Sequence, residues 1–438
     1  MEDFLGDWRR THYSTQISPK LDGKKVILFG WVEGIRDLGG IKFITLRDKE
    51  GLSQVTISRD AIDSDLVAKA DSLQKQCVIG VKGKVKRMKN APGGAEIIPS
   101  ELKILARAKH PLPLDPTGRV PADIEVRLNA RVLDLRRPES RAIFKIRHVI
   151  TEAIREFFHS RGYLEVTTPK IIASATEGGA ALFPIAYYDK EAFLAQSPQL
   201  YKEQLASDFE KVFEIGPIYR AEESNTTRHV SEASSVDIEE AFVTYDDIMS
   251  KLEEMVCYVI KVIKTKCKKE FAILKKEVVT PKRPFKRYTY TEILEELKSK
   301  GVDIAWGEDI TTPAFRVLSE SHPTFYFIKD WPTKAKPFYI KPKVDDLKVC
   351  ESFDLMYGWL ELTSGGTRVD TKDLLTQRLL EQGLNPSSFE FHLNIYSYGM
   401  PPHAGFGLGL DRLTMVLTGR DNVRETILFP RDRLRLTP

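Results

Sequence analysis

The hydrophobic rhythm of the sequence changes once, at His110–Asp115 (H-P-L-P-L-D) with Pro116 and Gly118 behind it. Ahead of that stretch, short apolar runs alternate with polar residues and are separated by turn residues, the period-two pattern of half-buried strands. Lys25–Trp31 alternates, Ile41–Arg47 follows a Gly39-Gly40 turn, and Leu52–Ile57 follows the turn Asp48–Gly51. Val78–Val85 and Glu96–Leu105 flank the loop Asn90–Gly94. Five short strands in this space predict a small five-stranded β-barrel. Beyond the stretch the period becomes helical. Arg141–Arg161 carries Ile143, Ile146, Ile150, Ile154 and Phe157 on one face and stops at Gly162, a suitable C-terminal cap.

The rest of the chain mixes both periods. Strand-like runs occur at Leu164–Thr167, Ala192–Ala195, Val212–Ile215, Tyr326–Ile328, Trp359–Leu362 and Gly405–Leu408, with helices near Tyr245–Lys264, Thr291–Lys300 and Thr371–Glu381. Such a mixture predicts an α+β domain on a mainly antiparallel sheet. With 438 residues the chain exceeds one ordinary core. The expected organisation is a barrel over 1–108, a connector over 109–140 and an α+β domain over 141–438.

Composition excludes several classes. Lys and Arg total 66 against 62 Asp and Glu, a formal charge of +4. That permits a nucleic-acid partner without arguing for one, since binding needs a local basic surface. Cys77, Cys257, Cys267 and Cys350 are scattered with no C-x-x-C pair, which speaks against a disulfide framework or thiolate zinc site. Met1–Arg10 carries acids and no apolar core, and no run approaches the ~20 apolar residues of a membrane span. The expectation is a soluble, cytoplasmic protein.

There is no G-x-x-x-x-G-K-[ST], and no G-x-G-x-x-G between a strand and a helix. In Gly405–Arg412 (G-F-G-L-G-L-D-R) glycines alternate with apolar residues, the rhythm of a tightly packed strand entering a helix. Its company matters more. Tyr219-Arg220-Ala221-Glu222 is followed by Asn225–His229 (N-T-T-R-H), Glu232 and Asp237-Ile238-Glu239, around a predicted turn. Arg220 leaves an apolar run, where an unpaired cation would be costly unless it met an anion. Together with the helix Arg141–Arg161 running to Pro169, these segments resemble the three signature motifs of class II aminoacyl-tRNA synthetases.

A narrower resemblance, to aspartyl-tRNA synthetases of the archaeal type, covers almost the whole chain. It is carried by Ala175–Gly179 (A-T-E-G-G), Gln196–Lys202 (Q-S-P-Q-L-Y-K), Phe353-Asp354, Glu361–Arg368 (E-L-T-S-G-G-T-R), Gly399–His403 (G-M-P-P-H) and Phe429–Asp432 (F-P-R-D). The resemblance implies an ATP-dependent aspartate–tRNA ligase, a homodimer joined through the first motif. Lys202 and Arg368 would meet the substrate's side-chain carboxylate, which needs buried cations. Glu177, Ser197 and Gln199 would hold its α-amino end, and Asp237 would orient the arginine and the ligand. Arg220 and Arg412 would clamp the phosphates of ATP, with Glu222, Arg228, His229 and Gly409 lining its site. Glu361 and the Ser364 hydroxyl would hold Mg²⁺ through oxygen.

The barrel resembles the anticodon-binding OB-fold of the same family. Phe43 and Gln54 fall on the face opposite Ile44, Leu46, Val55 and Ile57, with Arg36 in the turn before Phe43. These three are where the family keeps its anticodon contacts, and single-stranded bases need such an aromatic platform. Glu33 and the loop at Pro92 would lie near the third anticodon base. A carboxylate at Glu33 favours C over U, and so tRNA(Asp) alone. Pro92 looks more like members that also charge tRNA(Asn), and the choice stays open. Rival readings are an asparaginyl-tRNA synthetase, a ligase forming free asparagine, and a tRNA-binding paralogue without chemistry. Lys202 speaks against the first, the barrel against the second and the intact motifs against the third. Residues 1–18 and about 268–348 carry no assignable role.

Overall fold

Five strands form where the alternation places them: β1 (Lys25–Asp37), β2 (Ile41–Arg47), β3 (Leu52–Ser58), β4 (Val78–Arg87) and β5 (Ala95–Ala106). They close in the order β1-β2-β3-β5-β4, the last gap sealed by a short parallel pairing of Gln54 with Glu96 and Val55 with Ile97. Leu28, Ile44, Leu46, Val55, Ile79 and Val81 fill the interior. A helix, Ser64–Asp71, plugs the barrel with Leu66 and Ala70 and is capped by the Asp63 carboxylate. Two turns are too short to declare a period, so the helix is not legible from periodicity. β1 runs six residues past Trp31, to Asp37, bending through a register shift at Val32/Gly34.

The computed structural model describes residues 2–60, 63–173, 182–222 and 226–438, in two compact units, Met1–Thr117 and Gly118–Pro438. In the second unit the chain forms β6 (Leu164–Glu165), β7 (Ile171–Ile172), β8 (Pro184–Tyr187), β9 (Lys190–Leu194) and β10 (Lys211–Tyr219). Then come β11 (Glu232–Ala241), β12 (Lys286–Thr289), β13 (Phe325–Lys329), β14 (Ser352–Tyr357), β15 (Leu360–Thr367) and β16 (His403–Gly409). Eight of them make one sheet, ordered β12-β13-β14-β15-β16-β11-β10-β6, and β7, β9 and β8 make a small second one. Only the end pairs β12·β13 and β10·β6 are parallel, as a mainly antiparallel sheet requires.

Helices Pro138–His159 and Tyr245–Lys266 pack into the main core beside this sheet. All five apolar residues singled out on the first of them are buried. Gly162, at φ 77°, turns the chain after it, a conformation glycine adopts without strain. β11 occupies the region expected as a turn. Its odd face is Ser235, Asp237 and Glu239, all buried, so the strand lacks the apolar run that would have betrayed it. Among the described residues no helix is long and apolar enough to cross a membrane.

Candidate active site

A cavity of about 340 Å³ opens on the centre of the large sheet. Its wall takes Ser197 and Gln199 from the start of a helix, Gln199–Phe209, and Arg220 and Glu222 from the end of β10. Asp237 comes from β11, Glu361 and Ser364 from β15, Arg368 from just beyond it, and Gly409 and Arg412 from the β16–helix junction. Arg228 and His229 complete the wall. The structure therefore brings together the predicted site residues that lie in the described part of this unit, with one exception. Lys202 is buried beneath the cavity and does not line it. Glu177 lies outside the described residues.

At one end the charges are matched in pairs. Arg368 Nε and Nη2 donate to the two oxygens of Glu239 at 2.9 and 3.2 Å. This bidentate, buried pair fixes the guanidinium plane. Lys202 Nζ donates to Asp237 Oδ1 and to the Phe406 carbonyl, both at 3.1 Å, with Glu239 Oε2 at 3.6 Å. The expectation that Asp237 orients the arginine is thus corrected: Glu239 holds Arg368, and Asp237 holds Lys202. Register explains the division, since both carboxylates project from one face of β11 two residues apart.

The glycines of G-F-G-L-G make room for them. A Cβ at Gly405 would lie 2.4 Å from Glu239 Oε2, and one at Gly407 would lie 3.0 Å from Asp237 Oδ1. They belong to strand β16, which enters the helix Leu410–Thr418, and serve close approach as the alternation suggested.

At the other end cations crowd. Burial first, and then Arg220 and Arg228, push the Arg412 guanidinium below its ordinary value against the pull of Glu361. Burial first, and then Arg412 with the other two arginines, lower His229 below its ordinary value against the pull of Glu222. Arg412 is steadied by donation to the Glu361 carbonyl at 2.9 Å, and Arg228 by donation to Thr312 Oγ1 at 2.5 Å.

Glu361 and Ser364 are three residues apart, a spacing that would put them on opposite faces of a regular strand. A bulge resolves this. Leu355 pairs with Thr363 but Met356 with Glu361, so Leu362 is supernumerary and both side chains reach the cavity. Asp354 on β14 pairs with Ser364 in register and accepts from Lys336 Nζ at 2.7 and 2.8 Å. Burial pushes Asp354 up to about 6 against the pull of Lys336, with Glu361 adding to the rise.

On the barrel, the outward face of β1, β2 and β3 carries the expected side chains. Arg36 is corrected: it lies on β1 and not in a turn, directly across from Phe43, with its guanidinium 5.2 Å from the ring centre. A cation at that distance over a ring face is attracted to it. Gln54 donates through Nε2 to Glu96 at 3.0 Å, and the buried Glu96 also accepts from Thr56. Glu33 is occupied by Arg47 Nε at 2.9 Å, with Gln76 Nε2 at 3.4 Å. Pro92 opens a turn, Pro92–Gly94, whose two glycines have positive φ.

Sequence reasoning missed Glu239, Asp354 and Lys336 as site residues, although the first two lay inside quoted phrases. It also left 268–348 without a role. That segment supplies Thr312 to Arg228, and Ala335, Lys336, Pro337, Tyr339 and Ile340 to the cavity wall. A usable signal was a lysine inside the otherwise apolar run Ala335–Ile340.

Comparison with known proteins gives the family. The family "tRNA synthetases class II (D, K and N)" matches residues 123–433, and "OB-fold nucleic acid binding domain" matches 26–105. A protein of Methanococcus vannielii named "Aspartate--tRNA(Asp/Asn) ligase" is 50% identical over 435 residues, 99% of each chain. One of the same name from Archaeoglobus fulgidus is 49% identical over 97% of this chain and 99% of its own. Among solved structures, asparaginyl-tRNA synthetase from Pyrococcus horikoshii with asparaginyl-adenylate superposes with a TM-score of 0.94 at 35% identity, covering 98% of this chain and 100% of that one. Aspartyl-tRNA synthetase from Entamoeba histolytica gives 0.85 at 30% identity, over 98% and 92%.

Proposed function

The chain belongs to the class II tRNA synthetases of the D, K and N group, and we propose that it is an aspartate–tRNA ligase that charges both tRNA(Asp) and tRNA(Asn). The observation that carries the choice of amino acid is Arg368. Glu239 fixes its Nε and Nη2, it lines the cavity, and its Nη1 makes no hydrogen bond to a described residue. A side-chain carboxylate fits that donor, with the Lys202 ammonium behind Asp237 as a second cation. A neutral amide would gain less from either.

The α-carboxylate of aspartate is already ionised. It attacks the α-phosphate of ATP, the bond to the β-phosphate breaks, and pyrophosphate leaves. The protein's work is therefore alignment and charge stabilisation. Arg220 would hold the α-phosphate and Arg412 the γ-phosphate, with Glu222, Arg228, His229 and Gly409 around the nucleotide. A terminal ribose hydroxyl of tRNA then attacks the adenylate carbonyl and AMP leaves. Glu361 and Ser364 present oxygens on one face, a donor set that suits a hard cation. Mg²⁺ held there would supply positive charge to the phosphates.

Charging of both tRNAs is supported by Glu33. Its carboxylate is engaged by Arg47 and Gln76, which leaves it poorly placed to select C over U. The names of the relatives point the same way. We include in the reading a homodimer, supported by Val126 and Val132, which are 44% and 61% exposed just ahead of the long helix.

Aspartate charging of two transcripts differing only by C or U at the third anticodon base tests the whole reading. Equal charging is expected. Charging of the C form alone would restrict the enzyme to tRNA(Asp). Charging with asparagine and not aspartate would replace the assignment with the asparaginyl one.

A further inference from the structure

Behind Gln199 lies a set of polar side chains that substrate contact does not account for. Glu203, one helical turn after Gln199, is fully buried, as are His392 and His403. Glu203 Oε1 accepts a hydrogen bond from Gln199 Nε2 at 2.5 Å. Its Oε2 faces His392 Nε2 at 3.3 Å, His403 Nε2 at 3.6 Å and the Tyr396 hydroxyl at 3.4 Å. Three separate segments thus converge on one carboxylate: the helix Gln199–Phe209, the stretch His392–Tyr396, and the first residue of β16.

A buried carboxylate is costly unless opposite charge and donors meet it. Here the Gln199 amide donates to it, and two imidazole nitrogens stand within 3.6 Å. Burial would raise Glu203, yet the two imidazoles hold it well below the usual carboxylate range. His403 donates from Nδ1 to the Pro401 carbonyl at 2.8 Å, so a proton on Nε2 as well makes it an imidazolium. Burial pulls His403 down, but Glu203 lifts it above its ordinary value. The ionised state has a stereochemical consequence. A carboxylate only accepts, so the amide of Gln199 must turn its nitrogen towards Glu203. Its Oε1 then makes no hydrogen bond to a described residue, on a side chain that lines the cavity beside Ser197.

We propose that Glu203 is a positioning residue for recognition of the substrate's α-ammonium: it locks the Gln199 amide with its oxygen turned to the cavity. An ammonium has donors and no acceptor, so only the oxygen can meet it. A flipped amide would oppose N–H to N–H. The inference rests on the reading of Gln199 as a contact to the amino end of aspartate.

Two variants and one analogue test it. Glu203→Gln can offer either amide orientation, and Glu203→Asp withdraws the carboxylate by one methylene while leaving a charge for the histidines. Succinate has both carboxylates of aspartate and no amine. In ATP–pyrophosphate exchange, both variants should raise the KM for aspartate roughly tenfold or more, as loss of a fixed hydrogen bond to a charged group does. The KM for ATP and the inhibition constant of succinate should not move, and Glu203→Gln added to Gln199→Ala should cost nothing further. If Glu203→Gln does not fold, Glu203→Asp decides alone. An unchanged aspartate KM overturns the proposal, and so does equal weakening of aspartate and succinate, which marks a merely structural role. If Gln199→Ala itself leaves the aspartate KM unchanged, the contact reading of Gln199 fails, and the inference with it.

Discussion

On the proposed assignment of an amino-acid end and a nucleotide end, the two ends of the cavity solve opposite electrostatic problems. At the amino-acid end carboxylates match the cations: Lys202 donates to Asp237, Arg368 to Glu239, and His403 faces Glu203. At the nucleotide end Arg220, Arg228 and Arg412 share a wall, and their mutual repulsion adds to the burial that lowers Arg412 and His229. A small zwitterion must be distinguished from close relatives, which calls for fixed hydrogen bonds on immobile charges. On the proposed assignment a triphosphate would bring several negative charges and relieve the crowded cations. The first end is built for shape and the second for charge.

The division can be broken most directly at Arg412. Arg412→Ala should lower kcat/KM for ATP in pyrophosphate exchange by on the order of 10³-fold, the usual scale for removing a donor that stabilises transition-state charge. Aspartate binding without ATP, read by calorimetry, should be unchanged. An equal loss of aspartate affinity would mean that the two ends are not independent.

Stability should show the reverse asymmetry. Glu239→Gln takes away the partner of a buried cation and should cost about 3–5 kcal/mol in urea unfolding. Glu222→Gln, at the half-exposed nucleotide end, should stay within about 0.5 kcal/mol. Ionic strength separates the ends more gently. Raising salt from about 0.05 to 0.3 M should increase the KM for ATP roughly threefold and change that for aspartate less than about twofold, because buried pairs are screened less.

The smallest expected effect is a pH slope. His403 is raised in the folded chain, so its stabilisation is fully present below the usual imidazole value of 6.5 and fades as pH rises through the higher folded value. Glu203 is lowered, so its contribution is fully present above the usual 4.5 and fades as pH falls through the lower folded value. Between those limits both act, and melting temperature should fall from pH 6 towards pH 9. Glu203→Gln should flatten that fall; an unaltered slope would remove His403 from the account.

The same contrast governs how much could be read in the sequence. The barrel strands, the long helix and the strand character of G-F-G-L-G were legible because apolar periodicity reports packing directly. Arg220, Arg368 and Arg412 stood out through the company they kept. What stayed hidden was pairing. Glu239 meets Arg368 across 129 positions of sequence, and no local pattern encodes such a partner. Glu203 looked like any helix glutamate, and β11 was disguised because its site-facing residues are polar. Arg36 was misplaced for a related reason: β1 bends at Val32/Gly34, and a bent strand reads as a strand followed by a loop.

A similar irregularity on β15 bears on inheritance. Because Leu362 is left over in the pairing with β14, the register at Glu361 is set apart from that at Thr363, where pairing with β16 begins. A descendant could lose one residue here and straighten the strand, and both oxygen-bearing side chains would still point the same way. Such a chain would carry its glutamate two positions before the serine. An alignment anchored on T-S-G-G-T-R would then place the wrong residue opposite Glu361 and report the loss of a group that had only changed its address.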